Sequence, residues 1–272
     1  MLGFPVFRIV FINTRPMKED AFSNSSFLFL LMGASNLARG YSMFTRHISS
    51  CFGKNNTEFL NALGPGRGFC ARGGMFNFSY PPIQDCRILE AANKKSCDTR
   101  AVLITDIGND LMYGVPADTL IESLDKLINR GLQSDAEIFL TSIHVNLKKD
   151  VSQTTFFILK FFFYPGSSIT YKKIDLFIIK VNNYLKEKAG QRKRVHLISG
   201  MESFAGADKI HYSLFKTHSA WEKIANEICQ VLKAPIKKKL RFTDAITSML
   251  KNIYRLIFCD MFRFKKKGRE YY

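Results

Sequence analysis

The chain has 272 residues, 46% of them apolar, and a formal net charge of +17. That length and apolar content suit one large α/β domain, or a domain with appendages, built around a sizeable core. No stretch approaches the roughly 18 uninterrupted apolar residues that a membrane-spanning helix needs, and the start, Met1 to Arg8, lacks the basic and small-residue pattern of a signal peptide.

Residues 1–26 read as an N-terminal extension in which apolar patches alternate with polar runs such as Lys18-Glu19-Asp20. Either an edge strand or a loosely attached segment fits them. Residues 27–32 are six apolar residues without polar alternation, the pattern of a strand buried on both faces in a parallel sheet. Gly33-Ala34-Ser35 ends that strand, and residues 37–47 read as a helix. Ser35 therefore falls on the carboxyl edge of the sheet and at a helix N-terminus, where free N–H groups favour negative charge. The simpler alternative is that Ser35 or Asn36 caps the helix.

Further strands are expected at residues 58–63, 101–105, 137–143 and 194–199, with helical spacing at 83–94, 116–129, 171–188 and 217–233. Gly131 is expected to cap the helix of residues 116–129, and Pro235 closes the last one. A glycine cluster (Gly64, Gly66, Gly68, Gly73, Gly74) follows the second strand, and Asp106-Ile107-Gly108-Asn109-Asp110 follows the third. Strands alternating with helices predict βαβ units and a parallel sheet, whose loops after the strands share one edge.

Residues far apart in the chain thus converge on chemistry suited to an ester. A serine hydroxyl needs a neighbouring base to become a nucleophile. Of the five histidines, His211 stands out because Asp208, three residues earlier, can hold its Nδ1–H. His47, His144, His196 and His218 are read as surface or helix-cap residues. A tetrahedral oxyanion also needs fixed donors, which the Asn109 amide and the backbone N–H groups of Ser35 and Gly66 can offer. Asp106 and Asp110 receive no catalytic role and are read as shaping the loops. Gly108-Asn109-Asp110 alone is equally compatible with an ordinary turn.

Gly33-Ala34-Ser35-Asn36, Gly66, Gly108-Asn109-Asp110 and Asp208-Lys209-Ile210-His211 stand in the order and strand context of the SGNH (GDSL-like) hydrolases, which residues 27–233 resemble. Ala34 departs from the usual Gly-Asp-Ser block, and the glycine run leaves Gly68 as an alternative to Gly66. The resemblance implies a flavodoxin-like three-layer α/β/α sandwich with a five-stranded parallel sheet over residues 27–235. It also implies Ser35 as nucleophile, His211 as base, Asp208 as its orienting acid, and an oxyanion hole from Ser35, Gly66 and Asn109. No metal or cofactor is implied, and the substrate would be a small-molecule or lipid ester. The Gly-x-Ser-x-Gly elbow of α/β-hydrolases is absent, which disfavours that neighbouring family.

Two segments lie outside this scheme. Residues 155–166 form a phenylalanine-rich insert, readable as the wall or cover of an acyl pocket or as plain core. Residues 236–272 carry eleven Lys/Arg against three Asp/Glu, with Ile246, Met249, Leu250, Ile253, Ile257 and Met261 at helical spacing. Such a basic amphipathic tail suits an anionic membrane surface, or a helix docked on the hydrolase domain with its basic face solvated. Nucleic acid ranks third, because no binding motif accompanies the charge. An inactive hydrolase scaffold that binds through this tail is the rival to catalysis. The six cysteines lack the paired spacing of a zinc site and read as reduced thiols of a cytoplasmic protein, peripheral to the membrane if the tail binds there.

Overall fold

Strand β1 (Phe27–Gly33) is buried along its whole length. Phe27, Phe29 and Leu31 pack into one core layer and Leu28, Leu30 and Met32 into the other, so the missing polar alternation is the signature of a strand covered on both faces. The computed structural model describes residues 25–75, 78–236 and 239–262. Residues 1–24 of the extension, Lys237, Lys238 and the basic cluster Lys265-Lys266-Lys267 lie outside the described residues.

In chain order β1 is followed by α1 (Ser35–Phe52), β2 (Thr57–Leu63), a short hairpin of β3 (Gly73–Met75) and β4 (Phe78–Tyr80), then α2 (Ile88–Asn93) and β5 (Thr99–Ile104). Next come α3 (Asn109–Met112), α4 (Ala117–Gln133), β6 (Ala136–Thr141), α5 (Leu147–Asp150), α6 (Gln153–Phe163) and α7 (Tyr171–Gln191). Then come β7 (Val195–Ile198), α8 (Thr217–Val231) and α9 (Phe242–Arg255), and a π-helical segment (Leu256–Met261) follows α9.

Five parallel strands form one sheet in the order β2-β1-β5-β6-β7. One core layer takes its residues from α2, α4 and α7, the other from α1 and α8. This is the three-layer α/β/α sandwich expected. The strand order reverses between β1 and β5, so the loops leaving their carboxyl ends diverge to opposite sides. The crevice they leave is where such sheets bind ligands.

Several local expectations are corrected. Gly131 is not a C-cap: α4 runs on to Gln133, and Gly131 is buried where a Cβ would come within 2.7 Å of Ile138 Cδ1. The β3–β4 hairpin had no period to betray it, having three residues in each arm. It matters because Gly66, at φ +71°, lies so close to it that a Cβ would approach the Gly74 carbonyl to 2.9 Å. Helix α9 docks on the body, with the Ser248 hydroxyl donating to Arg39 O at 2.8 Å. Its docked face is small and polar, made by Ala245, Ser248, Asn252 and Arg255, while Leu250 and Ile253 of the expected apolar stripe face outward. Among the described residues no helix is long and apolar enough to cross a membrane. Cys51, Cys70, Cys86, Cys97 and Cys229 form no disulfide.

Candidate active site

Ser35 is the first residue of α1, with Ala34 at the N-cap and no side-chain cap there. The cap reading of Ser35 and Asn36 is therefore replaced by another residue. Asp106, just past β5, accepts from the Ala34 and Leu37 N–H groups at 2.9 and 3.0 Å through one oxygen, and from Asn36 Nδ2 at 3.0 Å through the other. A carboxylate at a helix N-terminus satisfies donors that have no intrahelical partner. Asp106 does so from a left-handed backbone, φ 59°, which few side chains adopt without a structural reason.

With its N-terminal turn fixed in this way, α1 holds the Ser35 hydroxyl 2.9 Å from His211 Nε2. His211 Nδ1 lies 2.7 Å from Asp208 Oδ2. Since Nδ1–H donates to the carboxylate, Nε2 is left as the acceptor for the serine O–H. Asp208 Oδ1 also accepts from the Ile210 and His211 backbone N–H groups, at 3.1 and 2.9 Å. Burial would raise the Asp208 pKa, but the hydrogen bonds from the His211 ring and backbone outweigh it and hold the carboxyl at about 2. The three sequence-predicted residues Ser35, Asp208 and His211 are thus brought together in one hydrogen-bonded line.

Asn36 secures the far end of that line. Its Nδ2 donates to Ile210 O at 3.2 Å and its Oδ1 accepts from Tyr212 N at 2.9 Å. The imidazole sits between the two residues so held. Sequence reasoning gave Asn36 no role beyond a cap, because its partners lie more than 170 positions away.

Asn109 opens α3 and is buried. Its Nδ2 donates to Arg67 O at 3.2 Å, and its Oδ1 accepts from the Tyr164 hydroxyl at 2.8 Å. A small cavity of about 20 Å³ is lined by Ser35, Gly66, Asn109, Tyr113, Tyr164 and His211, among others. Gly66 therefore borders the same space as Ser35 and Asn109, and its carbonyl is held by the Tyr113 hydroxyl at 2.7 Å. Gly68 sits elsewhere, packed so closely on Asp110 that a Cβ would come within 2.7 Å of its Oδ1. Asp110 itself accepts from Phe69, Cys70 and Ala71 N–H at 2.6 to 2.8 Å, which shapes the glycine loop as expected.

A second, larger cavity of about 90 Å³ also starts at Ser35 and Asn109. It extends between apolar walls that include Met112, Leu147, Val151, Phe156, Leu159 and Ile178. The phenylalanine-rich insert is α6, and it roofs this space. Phe156 is buried, while Phe163 reaches the His211 ring at 6.3 Å between centroids. Tyr164 follows directly and is buried, which raises its pKa.

Of the remaining histidines, His47 and His144 depart from the surface or helix-cap expectation. His47 is buried within α1, and His144 lines the larger cavity, packed 5.2 Å from the Tyr212 ring. Burial lowers the His144 pKa. His196 lies on β7 beside Glu137 at 2.7 Å, and only His218, in the first turn of α8, stands near a helix end. None of these four replaces His211 beside Ser35.

No family model and no curated protein matches the sequence. Solved structures do share its architecture. Est24, a carbohydrate acetylesterase from Sinorhizobium meliloti, superposes with a TM-score of 0.52 at 11% identity, over 75% of this chain and 99% of that one. A carbohydrate acetylesterase family member from the same organism gives 0.50 at 11% identity, again over 75% and 99%. The chain has the fold of these two esterases, the architecture that its likeness to the SGNH hydrolases implied.

Proposed function

We propose that the protein is a serine ester hydrolase that works through an acyl-enzyme on Ser35. The observation that carries this reading is the unbroken line from the Ser35 hydroxyl through His211 to Asp208, at 2.9 and 2.7 Å. Surface serines and histidines have no need of such a line, least of all one whose imidazole is anchored on both sides by Asn36.

In the reaction so read, Ser35 Oγ attacks the ester carbonyl carbon while His211 Nε2 takes the hydroxyl proton. The carbonyl π pair moves onto oxygen, and the oxyanion is received by the Ser35 and Gly66 N–H groups and the Asn109 amide. His211 then returns its proton to the departing alkoxide, leaving Ser35 acylated. Water, deprotonated by the same imidazole, attacks the acyl carbon and releases the acid with the Ser35 hydroxyl restored. Asp208 remains a carboxylate throughout, holding the tautomer and stabilising the imidazolium. The retained Ser35, His211, Asp208 and Asn109 set argues against an inactive scaffold. A small-molecule or lipid ester fits the space beside Ser35, and the esterase names of the two structures of like fold favour the same class.

A fluorophosphonate probe tests this directly. It should label the native protein, with turnover of a short nitrophenyl ester lost in parallel, and should fail to label Ser35→Ala. Full labelling or full turnover of that variant would refute the assignment.

A further inference from the structure

From Phe156 to Phe163 helix α6 is apolar around its circumference but for Lys160, yet only Phe156 is buried. Such a helix normally belongs inside a core or a membrane, and at eleven residues α6 is too short to cross a bilayer. Its inner face accounts for Phe156 and Leu159, which line the larger cavity. The outer face is a different matter. Phe157, Ile158, Phe161 and Phe162 are 53%, 52%, 71% and 73% exposed. At 100° per residue these four fall within one sector, turned away from Phe156 and Leu159. Isolated exposed apolar residues need no explanation, but a contiguous patch of this kind marks a contact surface.

Charge identifies the occupant. Residues 147–173, which contain α6 and both of its flanks, hold five lysines (Lys148, Lys149, Lys160, Lys172, Lys173) against the single Asp150. The next acid along, Asp175, pairs with Lys148 at 3.2 Å, so that pair cancels and four lysines remain against Asp150. An apolar ridge set in a basic surround matches a lipid layer with anionic headgroups, where the aromatics enter the acyl region and the lysines meet the phosphates. A protein partner would need its own complementary apolar groove, and nothing in this surface specifies one.

We propose that α6 is an interfacial docking helix. Its outer face seats the protein on an anionic lipid layer, and its inner face walls the cavity that takes the acyl chain of a lipid ester whose carbonyl lies at Ser35. The docking half stands independently of catalysis, while the acyl-chain half rests on the ester-hydrolase reading. One helix then serves both purposes. The surface that supplies the substrate and the space that receives its chain lie on opposite faces of α6, with Phe163 and Tyr164 joining them to His211 and Asn109.

The test uses the full chain carrying Ser35→Ala, so that vesicles stay intact, and follows co-sedimentation with phosphatidylcholine vesicles with and without phosphatidylserine. Binding is expected with phosphatidylserine and weaker without it. Adding Phe161→Asp and Phe162→Asp should lower the partition coefficient by at least about tenfold with thermal melting retained, because both side chains are exposed. Leu250→Asp with Ile253→Asp in α9 should cost less. No binding by the parent, undiminished binding by the α6 variant, or a loss confined to the α9 variant would overturn the docking role. On the otherwise native protein, Leu159→Trp should shift the preferred nitrophenyl ester towards shorter acyl chains, and an unchanged chain-length profile would overturn the acyl-wall role. Fluorophosphonate labelling separates the two readings. Absent labelling with α6-dependent vesicle binding would sink hydrolysis and leave docking, and normal labelling with α6-independent binding would do the reverse.

Discussion

Tyr164 donates its hydroxyl to Asn109 Oδ1 at 2.8 Å, from a ring buried at the end of the phenylalanine-rich helix. Asn109 Nδ2 donates at the same time to Arg67 O at 3.2 Å. The amide is pinned at both ends and cannot exchange its oxygen for its nitrogen. An asparagine amide has two hydrogens, so one remains for a developing oxyanion. Tyr164→Phe removes the latch but not the donor. Its expected effect is a fall in kcat of about tenfold with KM little changed, the scale of one neutral hydrogen bond. Asn109→Ala removes the donor itself and should cost about 3 kcal/mol, more than a hundredfold in kcat. Steady-state kinetics on a soluble nitrophenyl ester checks both. Native turnover in Tyr164→Phe would mean that Asn109 keeps its orientation without the tyrosine.

Asn36 bridges the chain on both sides of His211, by Nδ2 to Ile210 O and by Oδ1 from Tyr212 N. Removing it frees the loop that carries the imidazole without touching the serine, the histidine or the aspartate. Asn36→Ala also gives up the bond to Asp106 Oδ1, but the two that hold the His211 loop, at about 1 kcal/mol each, correspond to roughly 30-fold, so kcat should fall by about 10- to 100-fold. Fluorophosphonate labelling should slow by a similar factor and still occur at Ser35. Unaltered labelling and turnover would remove Asn36 from the machinery.

Such differences mark how far the sequence could be read. The run Phe27 to Met32 reveals its fold because a strand covered on both faces has no polar alternation to confuse it. Asp208 and His211 are legible because three residues separate them and their pairing is local. The bridging role of Asn36 was not, nor were the groups that Asp106 holds in shaping its loop, since their partners lie about 70 to 176 positions away and no spacing rule connects them. The phenylalanine-rich insert hid its helix for a different reason. Apolar side chains on every face leave no period to detect, and Tyr164 at its end gains its role only once Asn109 is beside it. Gly131 misled because a glycine near the end of a helical pattern usually caps it, whereas here close packing on Ile138 requires one inside the helix.

Gly40, in α1, presents a plain competition of magnitudes. Alanine would gain about 1 kcal/mol in helix propensity. Its Cβ would however lie 2.0 Å from Trp221 Nε1, and Trp221 is a completely buried, rigid ring. Overpacking of this kind costs about 1 to 3 kcal/mol, and more when the neighbour is a rigid ring. The clash should win. With the clash at the upper part of that range, Gly40→Ala is expected to cost about 1 to 2 kcal/mol net and to lower Tm by about 2 to 8 °C in a chain of this size. A Tm equal to or above the native value would show that α1 and α8 can separate at little cost.

Asp208 makes acid stability a second probe of the site, one that needs no substrate. In the folded protein its carboxyl is held at about 2, against an ordinary value of 3.8. Between those values the unfolded chain binds a proton that the native site refuses, so stability rises with pH across that interval. The contribution is complete above about pH 4 to 5 and disappears as pH falls through 2. A shift of this size corresponds to about 1 to 2 kcal/mol once solvent screening is allowed for, since the side chain is 30% exposed. Asp208→Asn keeps the shape but gives up the charge-assisted bonds to the His211 ring and the Ile210 and His211 N–H groups. Urea midpoints measured from pH 7 down to about 2 should therefore show the native protein more stable by that amount near neutrality, with the two curves converging as the carboxylate of the native protein is protonated. A gap that stayed constant to the lowest pH would show that Asp208 is held by packing and not by its charge, and the orienting role assigned to it beside His211 would lose its electrostatic basis.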